Sequence, residues 1–380
     1  MRIAINCAFF LPKGGGIKEY IDNLVKNLSK IDKENEYILY VHRDQIEYAR
    51  KNLPSGLRIK EIPFDSKNKL DRIKRSLFEQ KFWLKEEKKE NFDIFHSPFF
   101  HSPRLKNARL LLTVHDLRLY RFPKTYEFMR YQFLKRKVRK SIRQADYIIS
   151  ISEFTKQEIV DLCGVRPEKI IAIPEAINRE RFAVKEQGEP ADLPEGLKGK
   201  RFLLAVGHME PRKNYLRLIE AFEKIKSENG LSDVQLVIVG KKDHSFKETL
   251  EKIDSTQGVH YLNFVSHELL VWLYKNASLF VFPSYYEGFG FPPLEAASLG
   301  TASAVSNLSS IPEVCGDAAF YFDPFDVQNI SSVIASALQN PKEIESMKEK
   351  MVERLDSFSW ERNAMQTLEV YKKLFDKNPV

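Results

Sequence analysis

Three cysteines, Cys7, Cys163 and Cys315, are all that the 380 residues hold, and no two of them stand in a C-x-x-C spacing. That sparsity excludes a disulfide framework and the usual zinc ribbons. No stretch reaches the ~20 apolar residues that a membrane-spanning helix needs. The opening MRIAINCAFF runs straight into a strand pattern, with no apolar signal region and no small-residue cleavage site, so the expected location is the cytosol. Short repeats and low-complexity tracts are missing too, which excludes solenoids and biased linkers.

What is present is ordinary globular material. Residues of the AVILMFWYC set make up 43% and charged residues 29%, a balance that does not suit disorder, collagen or coiled coil. At ~100 to 200 residues per domain the length implies two domains or three small ones. Lys and Arg number 60 against 52 Asp and Glu, a net charge of +8. The partners to expect are therefore anionic: nucleic acid, an acidic membrane surface or a phosphorylated substrate. The excess sits in the first half, in runs 67–75, 81–89 and 130–143. The first two interleave acidic residues and read as solvated helix faces. Between Arg130 and Arg143 there is no acidic residue, while Tyr131, Phe133, Leu134, Val138 and Ile142 recur at helical spacing. A basic amphipathic helix able to rest on an anionic membrane is expected there. The runs carry no glycine-aromatic pattern of an RNA-binding module, so no nucleic-acid partner is expected.

Apolar runs of about three to eight residues alternate with helical segments along the whole chain, the pattern of parallel sheets. The first half offers strands at 2–9, 37–41, 57–62, 94–96, 110–114, 147–151 and 170–173, with helices at 18–28, 67–85, 126–143 and 153–162. Residues 181–200 carry Gly188, Pro190, Pro194, Gly196 and Gly199 without apolar periodicity and read as a linker. A second series follows, with strands at 202–206, 235–239, 260–264, 279–282 and 301–305 and helices at 215–226, 247–253, 268–276 and 293–299. The tail from 330 to 374 reads as helices, the last beginning near Trp360. Two tandem Rossmann-like α/β units are the simplest account, and ligands in such sheets sit beyond the carboxyl ends of the strands.

Residues just after strands are therefore the ones to inspect. After the first comes L-P-K-G-G-G, in which Gly15 and Gly16 precede a helix and let the backbone approach an anion. It matches neither G-x-G-x-x-G nor the P-loop, which argues against a dehydrogenase or an NTPase. After the fifth stands T-V-H-D with His115. His96 and His101 lie in a Pro/Ser-rich loop without further ligands at metal spacing, so no metal site is expected. In the second unit, G-H-M-E-P-R-K-N puts His208, Arg212 and Lys213 ahead of a helix. Cations there are unfavourable for the helix dipole unless they and the helix terminus jointly hold an anion. The densest segment is F-P-S-Y-Y-E-G-F-G-F-P-P-L-E-A-A, where Glu287 and Glu295 frame the turn Gly288, Phe289, Gly290. Carboxylates accept hydrogen bonds from paired sugar hydroxyls, and the turn's N–H groups can donate to phosphate oxygens.

The Glu287 to Glu295 spacing resembles the Glu-x7-Glu motif of the retaining GT-B glycosyltransferases of group 1. The Gly-rich first loop, T-V-H-D, E-P-R-K-N, L-V-I-V-G and the closing F-S-W-E-R are similar to that family in the same order over nearly the whole chain. The resemblance implies two Rossmann-like domains with an interdomain cleft and a C-terminal helix crossing back. The expected boundaries are an acceptor-side domain at 1–180, a linker at 181–200, a nucleotide-sugar domain at 201–358 and the returning helix at 359–380. It implies a metal-independent, retaining transfer of a hexose or deoxyhexose, of the mannosyl or rhamnosyl kind, and the chain contains no Asp-x-Asp. The donor would be a GDP-, UDP- or dTDP-linked sugar, with no cofactor. The acceptor would be a lipid-linked saccharide in surface polysaccharide synthesis, met at the cytoplasmic face of the inner membrane. By the same resemblance Arg212 and Lys213 would take the donor diphosphate, Glu287 the sugar, Glu295 the ribose, and Gly288, Phe289 and Gly290 sugar and phosphate. His115 would stand near the transferred sugar, and Gly15 and Gly16 near phosphates or acceptor. His208 replaces the Arg or Thr of many members, so its phosphate contact is open. A sugar-nucleotide epimerase or glycoside phosphorylase on the same architecture is the alternative.

Overall fold

A computed structural model describes residues 1–12, 15–66, 69–182, 188–228, 231–241 and 247–376, without the side chains of 69–77, 180 and 228. The side chains of the basic run 67–75 and residues 183–187 of the expected linker lie outside these described residues. The chain forms two units, Met1–Ala176 with Ser359–Val380 and Ile177–Phe358.

The first unit is built on seven parallel strands: β1 (Arg2–Asn6), β2 (Glu36–His42), β3 (Arg58–Ile62), β4 (Ile94–Ser97), β5 (Arg109–Val114), β6 (Tyr147–Ser150) and β7 (Ile170–Ala172). Their order is β3-β2-β1-β4-β5-β6-β7, with Ile3 opposite Tyr37 on one side and Ile94 on the other. Ile3, Ala4, Ile5, Ile38, Leu39, Leu111, Leu112, Ile148 and Ile149 are wholly buried. That is why these strands read as unbroken apolar runs: helices cover both faces, so no position alternates toward water. β1 ends three residues earlier than its apolar run, because the Asn6 side chain accepts the Ala8 N–H and the Phe10 N–H turns back to the Cys7 carbonyl.

The second unit has six parallel strands, β8 (Phe202–Val206), β9 (Gln235–Val239), β10 (Val259–Leu262), β11 (Leu279–Phe282), β12 (Ser303–Ser306) and β13 (Phe320–Phe322), in the order β10-β9-β8-β11-β12-β13. β13 was not apparent from sequence; three residues between turns carry no period. Leu218, Ile219 and Phe222 of helix Tyr215–Glu228 and Ile330 and Ile334 of helix Val327–Gln339 pack with Leu203, Ala205, Leu236 and Ile238 in one core. Each such Leu, Ile or Phe side chain contributes about 1.5 to 3 kcal/mol on burial.

In both sheets the strand order reverses beside the first strand, between β1 and β4 and between β8 and β11. Such switch points leave a crevice at the carboxyl ends of the two strands. In the second unit the loops entering that crevice are 207–214 and 283–290.

The helix Trp360–Asp376 belongs to the first unit and lies against helix Gly16–Ile31. Its Tyr371 hydroxyl is 2.7 Å from Nδ1 of His96, whose Nε2 is 2.9 Å from the Thr113 hydroxyl. Asn363 donates to the Pro174 carbonyl at 2.8 Å. A buried network of this kind gives the returning helix one seat, because each displaced polar atom would lose its partner. Burial, with the charge of His115 adding to it, pushes His96 down to about 3, so it is neutral.

The expected helix at 126–143 is Phe128–Gln144. Val138 and Ile142 face inward, but Phe133 does not share their face: it is 57% exposed, with Phe128 at 72% and Met129 at 79%.

Candidate active site

The second unit's site is assembled by two loops at its switch point. Pro211–Lys213 form one turn of helix after β8. Asn214 then takes the left-handed conformation, φ 57°, and its side chain donates to the Pro324 carbonyl at 2.8 Å. This bend starts helix Tyr215–Glu228 in a new direction and turns the Arg212 and Lys213 side chains to the strand ends. Tyr215 secures the preceding turn by donating to the Gly207 carbonyl at 3.0 Å. The end of β9 passes this turn so closely that a Cβ at Gly240 would fall 1.8 Å from the Gly207 oxygen.

From the other loop, Glu287 meets both cations. Its Oε2 accepts Arg212 Nη1 at 2.6 Å and its Oε1 accepts Lys213 Nζ at 2.8 Å. Arg212 also donates from Nε to Glu210 at 2.6 Å and from Nη1 to the Tyr286 carbonyl at 3.0 Å, while its own carbonyl accepts the Tyr285 N–H at 2.7 Å. Lys213 lies over the Phe282 ring, 4.8 Å from its centroid. Burial by itself would raise the Glu287 carboxyl; Lys213 and Arg212 outweigh it and hold the group below its ordinary value. Two cations and two carboxylates thus balance in a nearly dry site, where an incoming anion can exchange with Glu287 for the same donors.

The loop itself is fixed by residues that sequence reasoning missed. Ser309, at φ 59°, accepts the Glu287 N–H at 3.1 Å, and Ser310 donates to the carbonyls of Glu287 and Phe289. Nothing in the spacing marks these serines, which reach the loop only through the fold. Phe289 packs edge-on against Phe291 and Phe358, at 5.3 and 5.5 Å. Its ring is therefore core, leaving only backbone for a ligand. Gly288 is buried, and Gly290, at φ 135°, precedes helix Phe291–Ser298 with two prolines in its first turn. Glu295, on that helix, accepts a hydrogen bond from the buried Tyr274 hydroxyl at 2.8 Å. The two glutamates of the motif are thus held by different partners. His208 is exposed as a residue, but partial desolvation of its ring, with Lys213, Lys241 and Arg212 against Glu210, lowers its proton affinity.

In the first unit, Gly15 is the residue before helix Gly16–Ile31 and both glycines are exposed. His115 follows β5, with Nδ1 2.9 Å from Glu175 Oε1 and Nε2 3.0 Å from the Pro98 carbonyl. The Tyr20 ring stands edge-on at 5.0 Å.

Two Rossmann-like units with these strand orders are the architecture of the GT-B fold. The family profile of "Glycosyl transferases group 1" matches residues 192–354, and that of "Glycosyltransferase Family 4" matches 14–181. The chain is 32% identical to O-antigen chain mannosyltransferase B of Escherichia coli over 286 residues, 74% of each chain. It is 29% identical to O-antigen chain mannosyltransferase RfbU of Salmonella typhimurium over 245 residues, 64% of each. Among solved structures, Anabaena Alr3699/HepE in complex with UDP and glucose superposes with a TM-score of 0.71 at 15% identity, over 98% of this chain and all of that one. The chain belongs to the group 1 glycosyltransferases.

Proposed function

We propose that this glycosyltransferase moves mannose, or a closely related hexose or deoxyhexose, from a nucleotide-diphosphate sugar to a lipid-linked saccharide during surface polysaccharide assembly, with retention of configuration and without a metal or cofactor. The second unit takes the donor and the first the acceptor. The observation that carries the reading is the junction of Arg212 and Lys213 with Glu287 at the β8/β11 switch point. Support for the sugar comes from the names of the relatives, both O-antigen chain mannosyltransferases.

In this mechanism the donor diphosphate takes over the donors that Glu287 now occupies. As the bond from sugar to phosphate breaks, negative charge grows on the diphosphate while the sugar becomes oxocarbenium-like. Arg212 and Lys213, already oriented, stabilise that charge without reorganisation. Glu287, released, accepts sugar hydroxyls, and Glu295 accepts the ribose hydroxyls. The leaving phosphate draws the acceptor's proton on the same face, so no protein base is required. The test is acceptor-dependent release of nucleoside diphosphate from GDP-, UDP- and dTDP-sugars, with NMR of the product's anomeric configuration and a chelator control. An epimerised donor without acceptor, or turnover that requires inorganic phosphate, would replace transfer by epimerase or phosphorylase chemistry.

The acceptor's lipid places the enzyme peripherally at the cytoplasmic membrane face through helix Phe128–Gln144. Exposed Phe128, Met129 and Phe133 share that helix with exposed Arg136, Arg139, Lys140 and Arg143. These four cations and Gln144 line a shallow depression of about 480 Å³. Each cation near an acidic surface adds about 1 kcal/mol. Charge reversal at Arg136, Arg139 and Lys140 is expected to abolish co-sedimentation with acidic vesicles, and unchanged binding would remove the idea. No helix among the described residues is long and apolar enough to span a membrane.

A further inference from the structure

Both ring nitrogens of His115 face groups that accept hydrogen bonds. Nδ1 is 2.9 Å from a Glu175 carboxylate oxygen and Nε2 is 3.0 Å from the Pro98 carbonyl. A neutral imidazole has one N–H and cannot serve both. Glu175 is 1% exposed at its side chain and has no other hydrogen-bond partner among the described residues, while the His115 side chain is 13% exposed. A carboxylate so deeply placed is best matched by a compensating charge, and His115, 2.9 Å away, is the group in reach. The other titratable neighbours do not compete. Asp116, adjacent in the chain, favours the cation; His96 from β4 is neutral; Tyr20 from helix Gly16–Ile31 presents its ring edge and bonds to Thr113. Burial works against the His115 charge, but Glu175 and the Pro98 carbonyl overrule it and raise its proton affinity above the ordinary value.

We propose that Glu175 is a positioning residue of the transfer reaction, holding His115 as an oriented, doubly protonated imidazolium that acts on the anionic substrate through its charge and not as an acid or a base. The inference rests on the glycosyltransferase reading given above. It changes what His115 contributes. A ring whose two N–H groups are both committed to Glu175 and Pro98 has none left for a sugar hydroxyl, and it cannot take the acceptor's proton. A fixed positive charge at the end of β5 remains, in a setting dry enough for that charge to act beyond contact distance.

Two measurements decide it. The first is side-chain 15N NMR of histidine-labelled wild-type protein at pH 7.5 without ligand, with the His115 resonances identified by their loss in His115→Gln. Both nitrogens are expected at protonated positions, and a neutral tautomer overturns the proposal. The second is the pH profile of acceptor-dependent transfer. Without its carboxylate partner the ring keeps its burial penalty and falls to the ordinary imidazole range or below, where at most about one tenth is protonated one unit above a pKa of ~6.5. Glu175→Gln is therefore expected to lose roughly tenfold more activity at pH 7.5 than at pH 6, relative to wild type, while Glu175→Asp keeps the wild-type profile. A Glu175→Gln profile parallel to wild type sinks the proposal. If the variant does not fold, the wild-type NMR still decides. Wild-type protein that transfers no sugar would defeat the transferase reading instead and leave the NMR answer standing.

Discussion

Nζ of Lys213 stands 2.8 Å from Oε1 of Glu287, although 74 residues separate the two in the chain. Two adjacent parallel strands bring them there, since each residue sits on the loop that leaves the carboxyl end of β8 or β11. The site is thus electrically closed on itself, with the Arg212 and Lys213 donors oriented by the Glu287 carboxylate.

Lys213→Ala is expected to keep the fold, because Glu287 retains its 2.6 Å bond to Arg212. Transfer should fall by about 10²- to 10³-fold, the usual effect of removing one preorganised contact to developing negative charge. Turnover within a few-fold of wild type, at unchanged circular dichroism, would contradict the phosphate role.

Glu287→Gln should behave differently. It leaves Arg212 and Lys213 with Glu210 alone as counter-charge, and breaking a buried pair in this way costs roughly 3 to 5 kcal/mol. A nucleoside diphosphate supplies the missing negative charge, so its stabilising effect in a thermal-shift titration should be larger for the variant than for wild type. Equal shifts would mean that the diphosphate does not meet these cations.

Gly240→Ala tests the backbone. A Cβ there meets the Gly207 oxygen at 1.8 Å, so the turn that leads to Arg212 and Lys213 must move. Overpacking of this kind costs about 1 to 3 kcal/mol. The expected result is a lower melting temperature together with a higher KM for the donor; an unchanged KM would show that the turn's position does not matter for binding.

His96 and His115 of the first unit predict opposite pH dependences. His96 is lowered to about 3, so between pH ~6.5 and 3 the unfolded chain binds the proton first and stability falls as pH drops, by roughly 1 kcal/mol per pH unit. His115 is raised; its contribution is complete below pH ~6.5 and is lost as pH rises through its folded value. Denaturation of His96→Asn measured from pH 7 to 4 should show a shallower acid slope than wild type, and an equal slope would refute the assignment.

Much of this was legible beforehand, for identifiable reasons. Strands such as Leu279–Phe282 read clearly because a parallel sheet covered on both faces demands apolar residues at every position. The pair Arg212 and Lys213 was visible because cations ahead of a helix oppose its dipole and need an anion. Phe133 does not belong to the stripe of Val138 and Ile142, since at ~100° per residue positions five and nine apart lie on well-separated sides of a helix. Ser309, Ser310 and Glu175 gave no local signal, because what they do depends on partners 22, 21 and 60 residues away.

By itself the amino-acid order determined the alternation of strands and helices, the two α/β units and the identities of the charged groups, because these follow from short-range pattern and composition. Only the tertiary structure decided that Glu287 answers Lys213 and Arg212 while Glu295 answers Tyr274, and that both nitrogens of His115 are occupied. Hydrogen bonds and ion pairs act over about 3 Å, and which groups come that close is set by sheet order and loop direction.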